Sequence, residues 1–493
     1  MKFRHFLEVL KDENELTITK KPVNLNIEAG ALAAKCVALD GPALQFEAID
    51  DYEGVASLVS GLYASPSDMY SRTRRPWIRL LLAMDQDKRM TYEEMQGYFD
   101  DALIQGGIKA IEVDRAIWDE KMEGDNVDLF RLPFPIIHEL DAGRYSNMNT
   151  IIVEDPETRG HSWSGERFML ASKNSIAVRM INGSPLSTVY NKYQNIGKPM
   201  PFSIAIGVDS AIPIATAIFM EGITGPMSAA DLAGYLGGEP IELFKSEANQ
   251  LLVPANAEIL IEGMAFPGET GTEGAFNGMI QYEAPSVQPV FRVTSIKYRK
   301  NCIIPFDVTG IKGSDSLTLK SIAHSFRLQK IMNILWMGYR AVKWVYCPIS
   351  FRLGMAIASA TPVYPGFEFL ISRALFSCSH WFDKVLIVDT GCGAEELARI
   401  MGDVYQKASP VTAFHFTRQL DAAIPENAKY PTPEGTTGRM YINATFDPTW
   451  PKDLLPTRVS FETCWPIEIQ DKVMANWKRW GFALEPQKRE IRY

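Results

Sequence analysis

Between Leu132 and Phe306 short apolar runs alternate with clusters of Gly, Pro, Asp and Asn, and this punctuation restricts the fold more than any other feature. Asp141–Tyr145 and Asp155–Gly160 read as turns. Asn149–Val153, Phe168–Ala171, Ile176–Ile181 and Pro201–Val208 read as strands, followed by Ala257–Ile261, Val290–Arg299 and Cys302–Phe306. Many short strands set off by turn residues predict a largely antiparallel barrel or split barrel. One helix interrupts the series, Ala229–Leu236, with Ser228 placed to cap it.

The flanks have another texture. Residues 2–11 form an amphipathic helical pattern with Phe3, Phe6, Leu7 and Leu10 on one face. A Gly41–Pro42 turn feeds a strand ending at Phe46, Val55–Leu62 reads as a strand, and Tyr92–Gln105 reads as a helix. After the barrel, Leu317–Met337 reads as a long helix, and strands and helices then alternate. These are strands at Val342–Tyr346, Arg352–Ile357 and Lys384–Val388, and helices at Phe367–Ser377, Ala394–Lys407 and Gln470–Trp480. The expected class is a multidomain α/β and α+β protein. Its parts are an N-terminal α/β domain (1–120), a central split barrel (121–316), a connecting helix (317–338), a C-terminal α/β domain (339–475) and a tail (476–493). A chain of 493 residues has room for this.

A net charge of −9 with no long Lys/Arg stripe excludes a general nucleic-acid binder. Arg72, Arg74, Arg75 and Arg79 form the densest basic cluster, read as a surface ion-pair face. The most apolar long segment, Phe202–Met220, contains Gly207, Asp209 and Pro213, so no membrane span is expected. The N-terminus lacks the pattern of a signal peptide. Six cysteines with no CxxC pair suit reduced thiols in the cytoplasm and offer no zinc site.

The chemistry-bearing candidates are few. From Glu258 to Tyr282 a short apolar strand gives way to Gly263, Gly268, Gly271, Gly274 and Gly278, with Glu262, Glu269 and Glu273 among them. This is either a solvated surface loop or a loop that presents carboxylates for acid–base work. Arg167 follows the loop that contains His161, and reads as a surface salt bridge or as a clamp on an anion. His138 reads as structural, and His5, His324, His380 and His415 as packed or surface residues. Gly391–Cys392–Gly393 lies between a strand and a helix, as in nucleotide-binding and methyltransferase turns. The third glycine is missing and Glu395 and Glu396 would repel a phosphate, so a plain turn is expected.

Taken in order, several motifs give the chain its character. They are Gly41–Phe46 (GPALQF), Leu132–Pro135 (LPFP), Asp141–Tyr145 (DAGRY), Asp155–Thr158 (DPET), Glu258–Gly263 (EILIEG), Glu273–Phe276 (EGAF) and Gly438–Thr445 (GRMYINAT). In this order the chain resembles the UbiD family of carboxy-lyases. The resemblance implies a central domain of flavin-reductase-like split-barrel type, and prenylated FMN as cofactor. It also implies decarboxylation, or reversible carboxylation, of a small aromatic or α,β-unsaturated acid. By position it implies Arg167 and Glu273 as catalytic residues, and Ser162, Ser164, Arg167 and Pro226 as flavin contacts. The family's second acid, its proton donor, falls at Gly278, with Asn277 and Glu283 nearby. Its metal ligands fall at Ser162 and Ala229, and its histidine falls in Asn182–Pro185, where there is none, so no divalent metal is expected. Two readings stay open. One is a subunit with a degenerate cofactor site, assembled with other UbiD-like chains. The other is a self-sufficient decarboxylase with altered, metal-independent cofactor binding. Homo- or hetero-oligomerisation is implied by the resemblance alone.

Overall fold

A computed structural model describes residues 1–66, 76–222, 227–335, 341–389, 393–394, 396–422, 436–451, 453, 455, 459 and 461–482. Arg72, Arg74, Arg75, Pro226, Gly391 and Cys392 lie outside the described residues. The chain divides into two compact units. The first comprises Met1–Ser67, Pro76–Met90 and Met95–His324; the second is built mainly from the chain after Ser325.

In the first unit the predicted N-terminal helix is present as Phe3–Asp12, with Phe3, Phe6, Leu7 and Leu10 buried along one face. Four strands, Leu16–Thr19, Ala43–Phe46, Ala56–Ser60 and Cys302–Pro305, form a small sheet in that order. The last pairs in parallel with Ala56–Ser60. This corrects the expectation that Cys302–Phe306 completes the antiparallel system, because burial on both faces is equally compatible with either sheet. Arg79 is a second correction. It is not on a surface face but is 1% exposed and ion-paired to Glu15.

The centre of the unit is a nine-stranded sheet. Its main path runs Tyr145–Ser146, Phe168–Ser172, Ser175–Val178, Ser286–Tyr298, Ile259–Glu273, Met200–Ile206, Asn149–Glu154, His161–Ser164. Glu120–Glu123 pairs additionally with Ser286–Tyr298, and every pairing is antiparallel. Among the described residues the two end strands do not pair with each other, which leaves the barrel split. The core inside it includes Tyr145, Ile151, Phe168, Phe202, Ile204, Ile261 and Phe291.

The glycine-rich stretch is not the loop that its composition suggests. The strand Ile259–Glu273 continues through it, paired with Ser286–Tyr298 on both sides of an irregularity between Ala265 and Thr270. A second irregularity sits at Glu262/Gly263, where a Cβ on Gly263 would collide with the carbonyl oxygen of Arg292. The strand is buried over its first half, exposed over much of its second, and buried again at Glu273. The two bends therefore bring the last residue back to the interior.

The helix Ala229–Leu236 begins as predicted at Ser228, whose side chain accepts from the Asp231 amide in a capping box. Ser228→Ala is expected to cost about 1 kcal/mol, measured as a lower urea midpoint at unchanged slope.

In the second unit a five-stranded sheet runs Val342–Tyr346, Met355–Ala360, Lys384–Val388, Thr436–Ala444, Phe414–Ala422. Helices Phe367–Cys378 and Leu397–Lys407 connect its strands, giving the predicted α/β alternation. Glu396 accepts a hydrogen bond from the Gly393 amide at 3.0 Å, so the start of the second helix is occupied by the chain's own acid. No helix among the described residues is long and apolar enough to cross a membrane.

Candidate active site

Arg167 leaves the loop after His161–Ser164 and precedes the strand Phe168–Ser172, which places it at the sheet end where Glu273 arrives. Its Nε donates to Glu273 Oε1 at 2.8 Å and its Nη2 to Glu273 Oε2 at 3.2 Å, a two-point fork. Nη2 also donates to Glu283 Oε2 at 2.8 Å. Nη1 meets no acceptor among the described residues. Burial works against the Arg167 charge, but the bonds to the two carboxylates outweigh it and hold the guanidinium pKa above its usual value. Of the two sequence readings, a surface salt bridge does not fit a side chain this enclosed.

The guanidinium lies 4.3 Å over the Phe276 ring. Phe276 belongs to a two-residue strand, Phe276–Asn277, paired antiparallel with Tyr282–Glu283, so Phe276 sits directly opposite Glu283. Opposite residues of an antiparallel pair project to the same face. That register is why Glu283 reaches Arg167. The hairpin is held by two bonds from Asn277, its amide to Asp141 Oδ1 at 3.1 Å and its Nδ2 to the Thr309 carbonyl at 2.7 Å. Tyr145 packs beside it, its ring 4.5 Å from Phe276 and its hydroxyl donating to the Ala275 carbonyl at 3.3 Å. Burial, with the Glu273 charge, pushes the Tyr145 phenol well up.

Glu283 is held differently from Glu273. The Glu273 side chain is 1% exposed and fully engaged by Arg167. The Glu283 side chain is 24% exposed and held through Oε2 alone, which also accepts from Arg179 Nε at 3.2 Å. Burial pushes the Glu283 pKa up, but the Arg167 bond and the charges of Arg167 and Arg179 outweigh it and hold it below the usual carboxylate value.

Four polar residues come from the elements around the Arg167 loop: Ser164 ends the strand His161–Ser164, Glu166 follows it, Asn149 opens Asn149–Glu154 and Thr216 lies in the helix Ile212–Met220. The buried Ser164 Oγ, Thr216 Oγ1, Asn149 Oδ1 and Glu166 Oε1 have no hydrogen-bond partner among the described residues. A Cβ on Gly165 would lie 3.7 Å from the Asn149 carbonyl oxygen and 3.9 Å from Thr216 Cγ2, so Asn149 and Thr216 both approach the step between Ser164 and Glu166. Burial pushes Glu166 up to about 7 despite the charges of Arg179, Lys320 and Arg167. Orphaned polar atoms of this kind fit a ligand rich in hydrogen-bonding atoms, as a flavin is.

They do not fit a divalent metal. Ser162 offers one half-buried hydroxyl, Ala229 offers nothing, and Ser184 in the Asn182–Pro185 turn caps the helix Pro185–Asn195. Among the described residues no group of three or more His, Cys, Asp or Glu could hold a metal ion. Lys192 is paired with Asp155 and Glu157 at 2.7 Å each, and Lys173 lies 3.6 Å from Asp128.

The fold thus joins two residues predicted from sequence, Arg167 and Glu273, with Phe276 of the same motif and with Glu283, an acid the sequence places only nearby, and adds Arg179, which the sequence reading did not single out. The signal for Glu283 lay in the hairpin: Gly278–Gln281 is a four-residue loop, and its register sets Glu283 opposite Phe276.

Comparison with known proteins identifies the family. The family model described as the 3-octaprenyl-4-hydroxybenzoate carboxy-lyase Rift-related domain matches residues 110–312, and that of the N-terminal domain matches residues 7–97. The chain is 25% identical over 497 residues to pyrrole-2-carboxylic acid decarboxylase of Pseudomonas aeruginosa, covering 98% of each chain. It is 24% identical over 509 residues to ferulic acid decarboxylase 1 of Saccharomyces cerevisiae, again covering 98% of each. Among solved structures, the UbiD-class enzyme HmfF from Pelotomaculum thermopropionicum in complex with FMN superposes with a TM-score of 0.80 at 22% identity, over 93% of this chain and 97% of that one. Vanillic acid decarboxylase of Sedimentibacter hydroxybenzoicus in its open form, with a truncated ShVdcD, gives 0.83 at 21% identity, over 97% and 99%. With the two domain models, matches along the whole length and the same fold, this chain belongs to the UbiD family of carboxy-lyases.

Proposed function

We propose that this chain is a prenylated-FMN-dependent decarboxylase, acting on an aromatic or heteroaromatic acid, in which Arg167 grips the substrate carboxylate. The supporting observation is the Arg167–Glu273 fork, which fixes the guanidinium in one orientation and leaves Nη1 without an acceptor among the described residues. A third carboxylate, that of the substrate, could dock on that edge in the same planar geometry. The named activities of the relatives, on pyrrole-2-carboxylic and ferulic acids, point to planar conjugated acids. Ser164, Thr216 and Asn149 would hold polar atoms of the flavin. When bound, the prenylated flavin supplies the electron sink that lets the carbon–carboxylate bond break. The chain's own residues orient the carboxylate, exclude water with Phe276 and Tyr145, and return a proton. Pro226 stays in this reading as a flavin contact, and the setting we assign is cytoplasmic.

A second reading is favoured by one observation. Ser162 and Ala229 supply no metal ligands, so the chain would be a subunit with a degenerate cofactor site in a hetero-oligomer of UbiD-like chains. The Sedimentibacter enzyme was itself solved with a second, truncated chain. Self-association through residues 339–475 belongs to either reading; one HmfF form is described as an evolved dimer.

The experiment that separates them is a cofactor inventory on protein co-expressed with a flavin prenyltransferase. We expect stoichiometric prenylated FMN by absorbance and mass spectrometry, less than stoichiometric divalent metal, and carbon dioxide release from a panel of aromatic acids. A colourless protein that gains activity only with a partner chain would establish the second reading instead.

A further inference from the structure

The acid expected five residues after Glu273 is absent, because that position is Gly278. The space it would use is not vacant. A Cβ built on Gly278 would lie 2.5 Å from Glu283 Oε1 and 3.2 Å from Glu283 Cδ. The carboxylate of Glu283, arriving from the opposite strand of the hairpin, fills the place beside Gly278 where a side chain would begin. The two positions are therefore linked: glycine at 278 leaves the room that the acid at 283 occupies.

We propose that Glu283 is the proton donor of this enzyme, a carboxylic acid delivered from across the hairpin. This rests on the decarboxylase reading above. Three features carry it. First, the two acids on Arg167 are not equivalent. Glu273 is enclosed and uses both oxygens on the guanidinium, so it serves as the fixed support. Glu283 is partly open and uses only Oε2, while Oε1 has no hydrogen-bond donor among the described residues. Second, the bond that keeps Glu283 ionised is one that the substrate would contest. A substrate carboxylate on Arg167 adds negative charge beside Glu283 and draws on the same guanidinium. Both effects favour a neutral Glu283, and its partial burial acts in the same direction. Binding would therefore load the proton at the moment it is needed. Third, Arg179 bonds the same oxygen at 3.2 Å, so a second cation holds Glu283 near the site when Arg167 is engaged elsewhere. Another charged group that feels Arg167 and Arg179 is Glu166, which is buried and whose Oε1 has no hydrogen-bond partner among the described residues.

The step balances. The bond between the ring or vinyl carbon and the carboxylate breaks, and carbon dioxide leaves. The Glu283 O–H breaks and its proton goes to that carbon, forming the C–H bond of the product. Glu283 returns as a carboxylate to Arg167, and solvent reloads it through its exposed side. No oxidant or reductant is needed.

The test uses the holoprotein, co-expressed with a flavin prenyltransferase, and its Glu283→Gln variant. Turnover of the acid panel is expected to fall at least about 100-fold in Glu283→Gln. Cofactor content and KM should stay within a few-fold, and Glu283→Asp should recover part of the rate. A readout separate from turnover is calorimetry of benzoate binding near pH 6 in two buffers of different ionisation enthalpy. The wild type should take up a proton on binding and the Gln variant should take up none. Gly278→Ala should displace Glu283 and lower the rate in the same direction, since its Cβ would crowd Oε1. An active wild type with an equally active Glu283→Gln overturns the donor assignment and leaves the decarboxylase reading standing. A wild type that binds no cofactor and turns over no acid overturns both.

Discussion

Arg167→Ala is expected to lower kcat/KM toward aromatic acids by roughly two to four powers of ten, the effect of losing a buried, charge-assisted fork of about 3–5 kcal/mol. The reason lies in how many groups one side chain serves. Arg167 carries Glu273 on two donors, Glu283 on a third, and covers the Phe276 ring. Without it, Glu273 is a carboxylate buried to 1% exposure with no cation, so the protein should also lose stability. Arg167→Lys separates charge from shape. A lysine keeps one positive charge but cannot hold Glu273 at two points while offering a third edge to substrate. It should restore most of the stability and little of the rate. Initial rates paired with urea unfolding would show this, and an Arg167→Ala protein with a tenth or more of the wild-type rate would remove Arg167 from the chemistry.

What the sequence disclosed and what it hid divide along a physical line. Local signals were readable. The amphipathic face of Phe3–Asp12, the capping box at Ser228 and the strand-then-helix rhythm after Val342 depend on neighbours a few residues apart. Arg167 and Glu273 were readable through motif order. Register was not. Cys302–Pro305 looks the same whether it joins an antiparallel or a parallel partner, and only the fold assigns it to Ala56–Ser60. The glycines from Gly263 to Gly278 suggested a loop because glycine is rare in strands, yet Gly263, Gly268 and Gly271 lie within one long strand, two of them at its irregularities. Glu283 was visible as a nearby acid, but its contact with Arg167 was hidden for the same reason. Its distance from Arg167 along the chain says nothing until the loop length of the hairpin sets Glu283 opposite Phe276. At Gly278 a position-by-position reading finds an acid lost, whereas the structure places an acid in the same space from a different residue.

Arg79 shows how large the error can be when charge is read as surface, and it carries the second large prediction. Replacing it with methionine should destabilise the first compact unit by about 3–5 kcal/mol. Arg79 Nε donates to Glu15 Oε2 at 2.9 Å, and its Nη1 and Nη2 donate to the carbonyl oxygens of Gly61 and Gly41. Glu15 precedes the strand Leu16–Thr19, Gly41 leads into Ala43–Phe46, and Gly61 follows Ala56–Ser60. These strands are neighbours in the small sheet, so one guanidinium ties together an end of each. Methionine would fill much of the volume, but Glu15, 4% exposed, would remain as a buried charge without this cation, and two carbonyls would lose their donors. The control is Glu15→Gln combined with Arg79→Met. Removing the negative charge should return part of the loss, so the double variant should be more stable than Arg79→Met alone. Urea unfolding followed by tryptophan fluorescence measures all three. A loss below about 1 kcal/mol in Arg79→Met would mean that water replaces the guanidinium at all three contacts, contrary to a side chain buried this deeply.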